Sequence, residues 1–312
     1  MMLAAPIDAT VGVYKMIMSE ILISSLSEEK DLHVRDPHHV NYDFNRLRER
    51  NTMHESLLKM FDLKGKCAIV TGVSRGLGVN FAAGLVKAGC DLVISARSFQ
   101  QLSEVADNLR QYGSRVLPIK ADVCRRVDVE NMVKQTLNEY GKIDILVNNA
   151  GIASVVEAEH MTDKQWERVM DTNVKGVFLC AQCVGRQMLT QGSGKIINIA
   201  SMYGISASSY VPQLSYVASK SAVLGLTREL AVEWGPKGLH VVALAPGFFR
   251  SEQTIWAFEQ NRDLGEKLLA KVPMGRMGKL EELESSIVYL ASPASNYMNG
   301  QALILDGGFL SW

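Results

Sequence analysis

The sequence has no surplus of charge. Its 33 Lys and Arg are matched by 33 Asp and Glu, with no long basic block. A neutral chain has no electrostatic footprint for nucleic acid, and with aromatics at only 7% it has little on which to stack bases. Cysteine is scarce. Cys67, Cys90, Cys124, Cys180 and Cys183 are scattered and odd in number, which argues against a disulfide framework and for a reducing, cytoplasmic compartment. Cys180 and Cys183 form a lone C-x-x-C with no second pair and no nearby His, so no metal site is expected. No stretch reaches the roughly 18 uninterrupted apolar residues that a membrane span needs. The run from Val11 to Leu26 is broken by Lys15 and Glu20, and it lacks the basic start and small-residue cleavage site of a secretory signal. No membrane partner is expected.

What is present is a substantial core. Hydrophobic residues make up 47% of the 312 residues, which suits one large α/β domain with a tail. Residues 1–60 differ from the rest. The part from 29 to 54 is rich in charge, His and Asn with weak periodicity, and reads as an N-terminal extension, flexible or partly helical. From Phe61 to the end, short β-rich runs alternate with helical stretches. Strands are predicted at 67–71, 92–95, 116–119, 143–147, 195–199, 240–244 and 302–305, with helices near 76–89, 99–112, 127–140, 163–189 and 214–235. The fold class is therefore α/β: a single-domain, Rossmann-like, doubly wound parallel sheet of about seven strands over residues 61–312. Ligands in such a sheet bind outside the carboxyl ends of the strands.

The first strand runs into Thr71-Gly-Val-Ser-Arg-Gly-Leu-Gly78, and a helix follows. Gly72, Gly76 and Gly78 remove Cβ atoms where the chain turns tightly against a pyrophosphate, and the helix start offers free N–H groups to that anion. Ser74, Arg75 and Leu77 complete the loop. A glycine-rich turn alone is weak evidence; strand before and helix after make it specific to a dinucleotide. NAD-specific proteins usually end the second strand in an acid that binds the ribose 2′-hydroxyl. Here it ends Ser95-Ala-Arg-Ser98. Arg97 and Arg75 can instead clamp a 2′-phosphate, with Ser98 beside them, so NADP(H) is expected to be preferred and NAD(H) remains possible. The plainer alternative is a pair of solvated arginines. Asp122, with Val123, follows the third strand and is placed to accept from the adenine amino group. Asn149, Ala150 and Gly151 follow the fourth, where small residues let the chain pass close to the cofactor.

Tyr216-Val-Ala-Ser-Lys220 opens a helical stretch, and an i, i+4 pair shares one helix face. A free phenol has a pKa of about 10. A neighbouring ammonium and the nicotinamide charge favour phenolate, so Tyr216 is expected to be lowered toward useful acid/base range. Ser201, just past the fifth strand, can hydrogen-bond the substrate oxygen, and Asn173 can hold a water linking Lys220 to solvent. Alone, Y-x-x-x-K is a common accident; its weight comes from its company.

In this order, T-G-x-x-x-G-x-G, N-N-A-G, Ser201, Y-x-x-x-K, Pro246-Gly247 and the ending Asp306-Gly-Gly308 resemble the short-chain dehydrogenase/reductase family over residues 61–312. The resemblance implies that Tyr216 is the acid/base, Ser201 orients substrate, Lys220 binds ribose and lowers the Tyr216 pKa, and Asn173 supports a proton relay. It further implies that Pro246, Gly247 and Ser251 meet the nicotinamide end. Assembly would be a homotetramer through helices 163–189 and 214–235, where Val174, Val177, Phe178 and Ala181 form an apolar face, and through the C-terminal strand region. Three features depart from the family. The Ser201–Tyr216 interval is longer than usual, which leaves Ser206, Ser208 and Ser209 as alternatives for the serine. Val242 replaces an Asn common before the P-G motif. The N-terminal extension is atypical, and a chain beginning at Met53 is expected to suffice.

Within the family, Phe61-Asp-Leu-Lys-Gly-Lys66, Ile196-Ile-Asn-Ile-Ala-Ser-Met202 and the tail Asp306-Gly-Gly-Phe-Leu-Ser-Trp312 are most similar to sugar-acid dehydrogenases of the gluconate 5-dehydrogenase and deoxygluconate dehydrogenase type. The expected partner is thus a small carbonyl or alcohol substrate. The rival is a 3-oxoacyl-acyl-carrier-protein reductase. A reading of another class, a non-catalytic dinucleotide-binding protein, commonly goes with loss of the Tyr or Lys; both are present here. The loops Ile152 to His160, Met202 to Pro212 and Phe248 to Leu268 are expected to line the substrate cleft, with Arg250 facing either a carboxylate or solvent.

Overall fold

Strand β1 (Cys67–Thr71) is buried at all five positions, as a strand covered by helices on both faces must be. In the computed structural model, which describes residues 54–312 apart from 209, 252, 253, 256, 257, 259 and 312, β1 is an interior strand of a seven-stranded sheet. The strand order is β3-β2-β1-β4-β5-β6-β7. Every pairing is parallel, from β2 (Asp91–Ala96) and β3 (Val116–Lys120) on one side to β4 (Ile145–Asn148), β5 (Gly194–Ile199), β6 (Leu239–Pro246) and β7 (Ala302–Leu305) on the other. The chain reverses direction of travel across the sheet between β1 and β4. That switch point opens a crevice at the strand carboxyl ends.

Before the sheet comes a short helix, α1 (Glu55–Lys59). The longer helices among the described residues are α2 (Leu77–Lys87), α3 (Phe99–Arg110), α4 (Arg126–Tyr140), α5 (Asp163–Met170), α6 (Gly176–Gln191), α7 (Leu214–Trp234), α8 (Arg262–Leu269) and α9 (Leu280–Ala291). The two-residue period of the strands sorts the core into two layers. Ala68, Val70, Leu92, Ile94 and Leu244 pack with Phe81, Leu85, Leu102 and Ile287 from α2, α3 and α9. Ile69, Val93, Leu146, Ile196 and Val241 pack with Met132, Val184, Met188 and Trp234 from α4, α6 and α7. Gly84 lets α2 lie against α9, because a Cβ there would sit 2.8 Å from Glu284 O. Val242 is a core residue of the first layer, so its apolar side chain serves packing.

The strand predictions hold, with β1 and β7 at their predicted bounds. β4 starts two residues late because the Gln191 side chain takes both backbone groups of Ile143, its Oε1 accepting at 3.1 Å and its Nε2 donating at 2.9 Å. Pro118, which cannot donate to a ladder, falls on the edge strand β3. The predicted helix 163–189 is interrupted. A capping box of Thr162 and Gln165 starts α5, and a π-helical turn at Asp171–Lys175 separates it from α6. The predicted apolar face also needs correction. Val177 and Ala181 are buried within the chain's own core, while Phe178 is exposed. Most of the N-terminal extension, including Val11 to Leu26 and the Met53 start, lies outside the described residues.

Candidate active site

The loop after β1 is braced by side chains from the loop after β4. Thr71 Oγ1 accepts from the backbone N–H groups of Asn149 and Ala150, each at 3.1 Å. Asn149 Nδ2 donates back to Thr71 O at 2.8 Å and Gly72 O at 2.9 Å. This tight seam explains two of the three glycines. A Cβ on Gly72 would meet Ala150 Cα at 2.7 Å, and one on Gly78 would collide with Asn149 Nδ2 and with Gly72 O at 2.6 Å. Gly76 differs: it has a φ of 69° and nothing within 4 Å of where its Cβ would be. It is the N-cap of α2 and provides no side-chain cap, so no side chain occupies the first N–H groups of α2 and they can face an anion.

The residues present fit a phosphorylated dinucleotide. Arg75 and Arg97 are exposed, and neither makes an ion pair among the described residues. Ser98, the N-cap of α3, has a side chain that caps nothing. Two free guanidinium groups and an uncapped helix start form a strongly anion-seeking edge beside the glycine loop. One oxygen of Asp122 accepts from Cys124 N at 3.0 Å, in a turn that positions the carboxylate at the end of β3, and Val123 is buried against Gly176. At the other end, Gly247 donates to Leu305 O at 2.8 Å after Pro246, and Ser251 Oγ shares a 2.9 Å hydrogen bond with Thr254.

The candidate catalytic groups converge from three elements. Ser201 follows β5 and is buried; its Oγ accepts from Tyr203 N at 3.1 Å and lies close enough to the Tyr216 phenol to lower its pKa. The longer Ser201–Tyr216 interval therefore leaves Ser201 in contact with Tyr216. Of the alternatives, Ser208 is engaged by Gln213 at 3.0 Å, Ser206 leans on Ala207 O at 3.5 Å, and Ser209 lies outside the described residues. Tyr216 and Lys220 occupy successive turns of α7, with Lys220 Nζ 5.6 Å from the ring centroid. That ammonium donates to Ile199 O at 2.6 Å.

Asn173 sits in the π-turn and is buried. Its Oδ1 accepts from Ile152 N, and its Nδ2 donates to Ile152 O, both at 2.8 Å. Nδ2 also donates to Ser219 Oγ at 2.9 Å, and Ser219 donates to Tyr216 O at 2.7 Å. The extra residue of the π-turn lies where this inward amide is placed, a common use of such turns at functional sites. Sequence reading did not find the π-turn, Ser219, or the bracing role of Thr71. Thr71 was visible in the glycine motif; the other two carry no local signal.

The Tyr216 pKa departs from expectation. Burial raises the phenol above its ordinary value and the Ser201 hydroxyl pulls it back only in part. Burial also lowers Lys220, to about 8. The protein alone thus stores a protonated phenol beside an easily deprotonated ammonium. Lys220 Nζ faces Ile199 O and lies 5.6 Å from the ring centroid.

The short chain dehydrogenase family model matches residues 66–262. The chain is 41% identical over 256 residues to the 2-dehydro-3-deoxy-D-gluconate 5-dehydrogenase of Dickeya dadantii, covering 82% of this chain and 99% of that protein. It is 37% identical over 244 residues to a 3-oxoacyl-acyl-carrier-protein reductase of Staphylococcus epidermidis, covering 78% and 98%. Among solved structures, a gluconate 5-dehydrogenase from Burkholderia cenocepacia in complex with NADP and tartrate superposes with a TM-score of 0.77 at 35% identity, over 82% of this chain and 99% of that one. With the parallel sheet and the Ser201–Tyr216–Lys220 cluster, these matches establish that the chain belongs to the short-chain dehydrogenase/reductase family, the NAD(P)-dependent alcohol dehydrogenases and ketoreductases.

Proposed function

We propose that this enzyme interconverts a secondary alcohol and a ketone on a sugar acid of the gluconate type, with NADP(H) preferred and NAD(H) as a weaker alternative. The observation that carries the substrate class is the Dickeya relative, aligned over 99% of its length at 41% identity. The Staphylococcus relative, at 37%, favours a second reading on 3-oxoacyl thioesters. A panel of gluconate, 5-keto-D-gluconate, 2-dehydro-3-deoxy-D-gluconate and an acetoacetyl thioester, each with NADP(H), separates the two. Higher kcat/KM on the thioester than on every sugar acid would overturn the first reading.

When bound, the dinucleotide supplies or accepts the hydride at the carbinol carbon. In reduction, Tyr216 gives its phenolic proton to the substrate oxygen. Ser201, with one lone pair held by Tyr203 N, points its own proton at the same oxygen. Gly151 keeps a path open toward Lys220, since a Cβ there would stand 3.6 Å from Lys220 Nζ and 3.3 Å from Asn173 Oδ1. Protons can return to the phenol along that side. Asn173, saturated as a donor, acts chiefly by fixing Ile152 and α7.

The cofactor preference rests on Arg75 and Arg97. Each exposed, solvent-screened contact to a 2′-phosphate is expected to contribute about tenfold in affinity. Arg97→Asp removes a cation and adds repulsion, so it is expected to reverse the NADPH/NADH preference in kcat/KM. Equal use of both cofactors by the wild type would mean that the arginines face solvent.

The assembly is proposed as a homotetramer with a catalytic unit that needs no residue before 53. Exposed apolar residues on α5, α6 and α7 (Trp166, Phe178 and Val232) and near β7 (Tyr297 and Ile304) support two contact faces. The Dickeya match leaves nearly a fifth of this chain unaligned. A chain beginning at Met53 is expected to keep full turnover and to scatter light as a tetramer; a monomer or an inactive protein would refute one half or the other. The compartment is proposed to be the cytoplasm; detection of the protein outside it by fractionation would refute this.

A further inference from the structure

Tyr203 is not accounted for by the mechanism. Its backbone positions Ser201, but its side chain does something separate. The ring is 6% exposed and lies edge-to-face with Phe248 at 6.2 Å and Phe309 at 6.0 Å, in the same cluster as Tyr216. Phe248 in turn meets Phe258 at 5.6 Å, so loops after β5, β6 and β7 build one aromatic wall. Within that wall the Tyr203 hydroxyl is buried and has no hydrogen-bond partner among the described residues. The Ser208 hydroxyl is close enough to lower its pKa, yet makes no hydrogen bond of ordinary geometry to it and already accepts from Gln213 Nε2. Burial and the nearby Tyr216 phenol raise Tyr203, so at neutral pH it is a neutral donor within electrostatic reach of the reacting group.

A buried hydroxyl with no partner carries a desolvation cost that phenylalanine, used at the three neighbouring wall positions, avoids. Buried polar groups are paired as a rule, and an exception beside a reaction centre points to a ligand group. We propose that the Tyr203 hydroxyl donates a hydrogen bond to a substrate hydroxyl carried near the reacting carbon, selecting polyhydroxylated keto acids over plain ketones. This rests on the sugar-acid reading above. A site built to pair a substrate hydroxyl discriminates against analogues lacking it far better than a purely apolar wall does.

The test is Tyr203→Phe in the full chain with NADPH, assayed on 5-keto-D-gluconate and on cyclohexanone, which carries no hydroxyl. The expected result on the keto acid is a KM raised roughly five- to twentyfold with kcat within about twofold, the split for binding shared by ground and transition states. On cyclohexanone kcat/KM should be unchanged or raised, and Tm should be equal or higher. Parallel losses on both substrates would assign Tyr203 to shaping the cleft and overturn the inference. No change on the keto acid would overturn it as well. A wild type that reduces the acetoacetyl thioester but not 5-keto-D-gluconate would defeat the sugar-acid reading itself, and that result is read before any variant is made.

Discussion

Tyr216→Phe is expected to lower kcat/KM by roughly 10²–10⁴-fold, the range that a positioned general acid supplies. The dissociation constant for NADPH should stay within a few-fold of wild type. The ring keeps its packing against the cluster of Met202, Tyr203, Val272 and Phe309, so the variant folds around the same cleft. Only the phenolic oxygen is lost, the atom whose pKa the Ser201 hydroxyl lowers. The pH dependence should change in kind. Burial raises the phenol, so at neutral pH its acid form predominates and ketone reduction is favoured. Alcohol oxidation needs the phenolate and should accelerate as pH rises; in Tyr216→Phe that rise should vanish. Steady-state rates in both directions from pH 6 to pH 10, with NADPH binding by fluorescence, read this. A variant within tenfold of wild type would remove Tyr216 from the chemistry.

What the sequence disclosed depended on how local each cause was. β1 and the glycine loop were legible because an apolar run ending in T-G-x-x-x-G-x-G fixes strand, turn and helix start within a dozen residues. The spacing of Tyr216 and Lys220 placed both on one face of α7 for the same reason. Features set by distant partners were not legible. β4 lost Ile143 to a side chain 48 positions away. The π-turn answers to Ile152 and Ser219, neither near Asn173 in the chain. Gly72, Gly76 and Gly78 were read as giving a tight turn and close approach to the cofactor; that Gly72 and Gly78 also close a seam with Asn149 and Ala150, while Gly76 stays open, depends on the distant loop after β4. The ionisation of Tyr216 was read from a neighbouring ammonium and the nicotinamide charge. Burial, a property of the assembled fold, raises the phenol in the protein alone.

Lys220→Met is expected to abolish most activity and yet make the dinucleotide-free protein more stable. Lys220 is 5% exposed, and its ammonium has a carbonyl oxygen, Ile199 O, for a partner; no salt bridge to a carboxylate is found for it among the described residues. Desolvation alone lowers its pKa from 10.5 to about 8. At 1.36 kcal/mol per pKa unit, keeping it charged at pH 7 costs the fold about 3 kcal/mol. Methionine matches the length, removes that cost, and gives up one hydrogen bond from a charged donor, worth about 1.5–3 kcal/mol. The net gain should be about 0–2 kcal/mol in urea unfolding at pH 7, the exchange expected where a binding site is held at the expense of stability. Between about pH 8 and the ordinary lysine value of 10.5, the unfolded wild type binds more protons than the folded one, so wild-type stability rises with pH across that window. The variant lacks this rise, and its advantage should shrink toward pH 10. Lys195, also lowered to about 8 by burial, contributes the same rise to both proteins and cancels in the difference. Unfolding curves at pH 7 and pH 10 decide the matter. A variant less stable than wild type at pH 7 would mean that the bond to Ile199 outweighs desolvation, and that Lys220 holds the end of β5 as much as it serves the phenol.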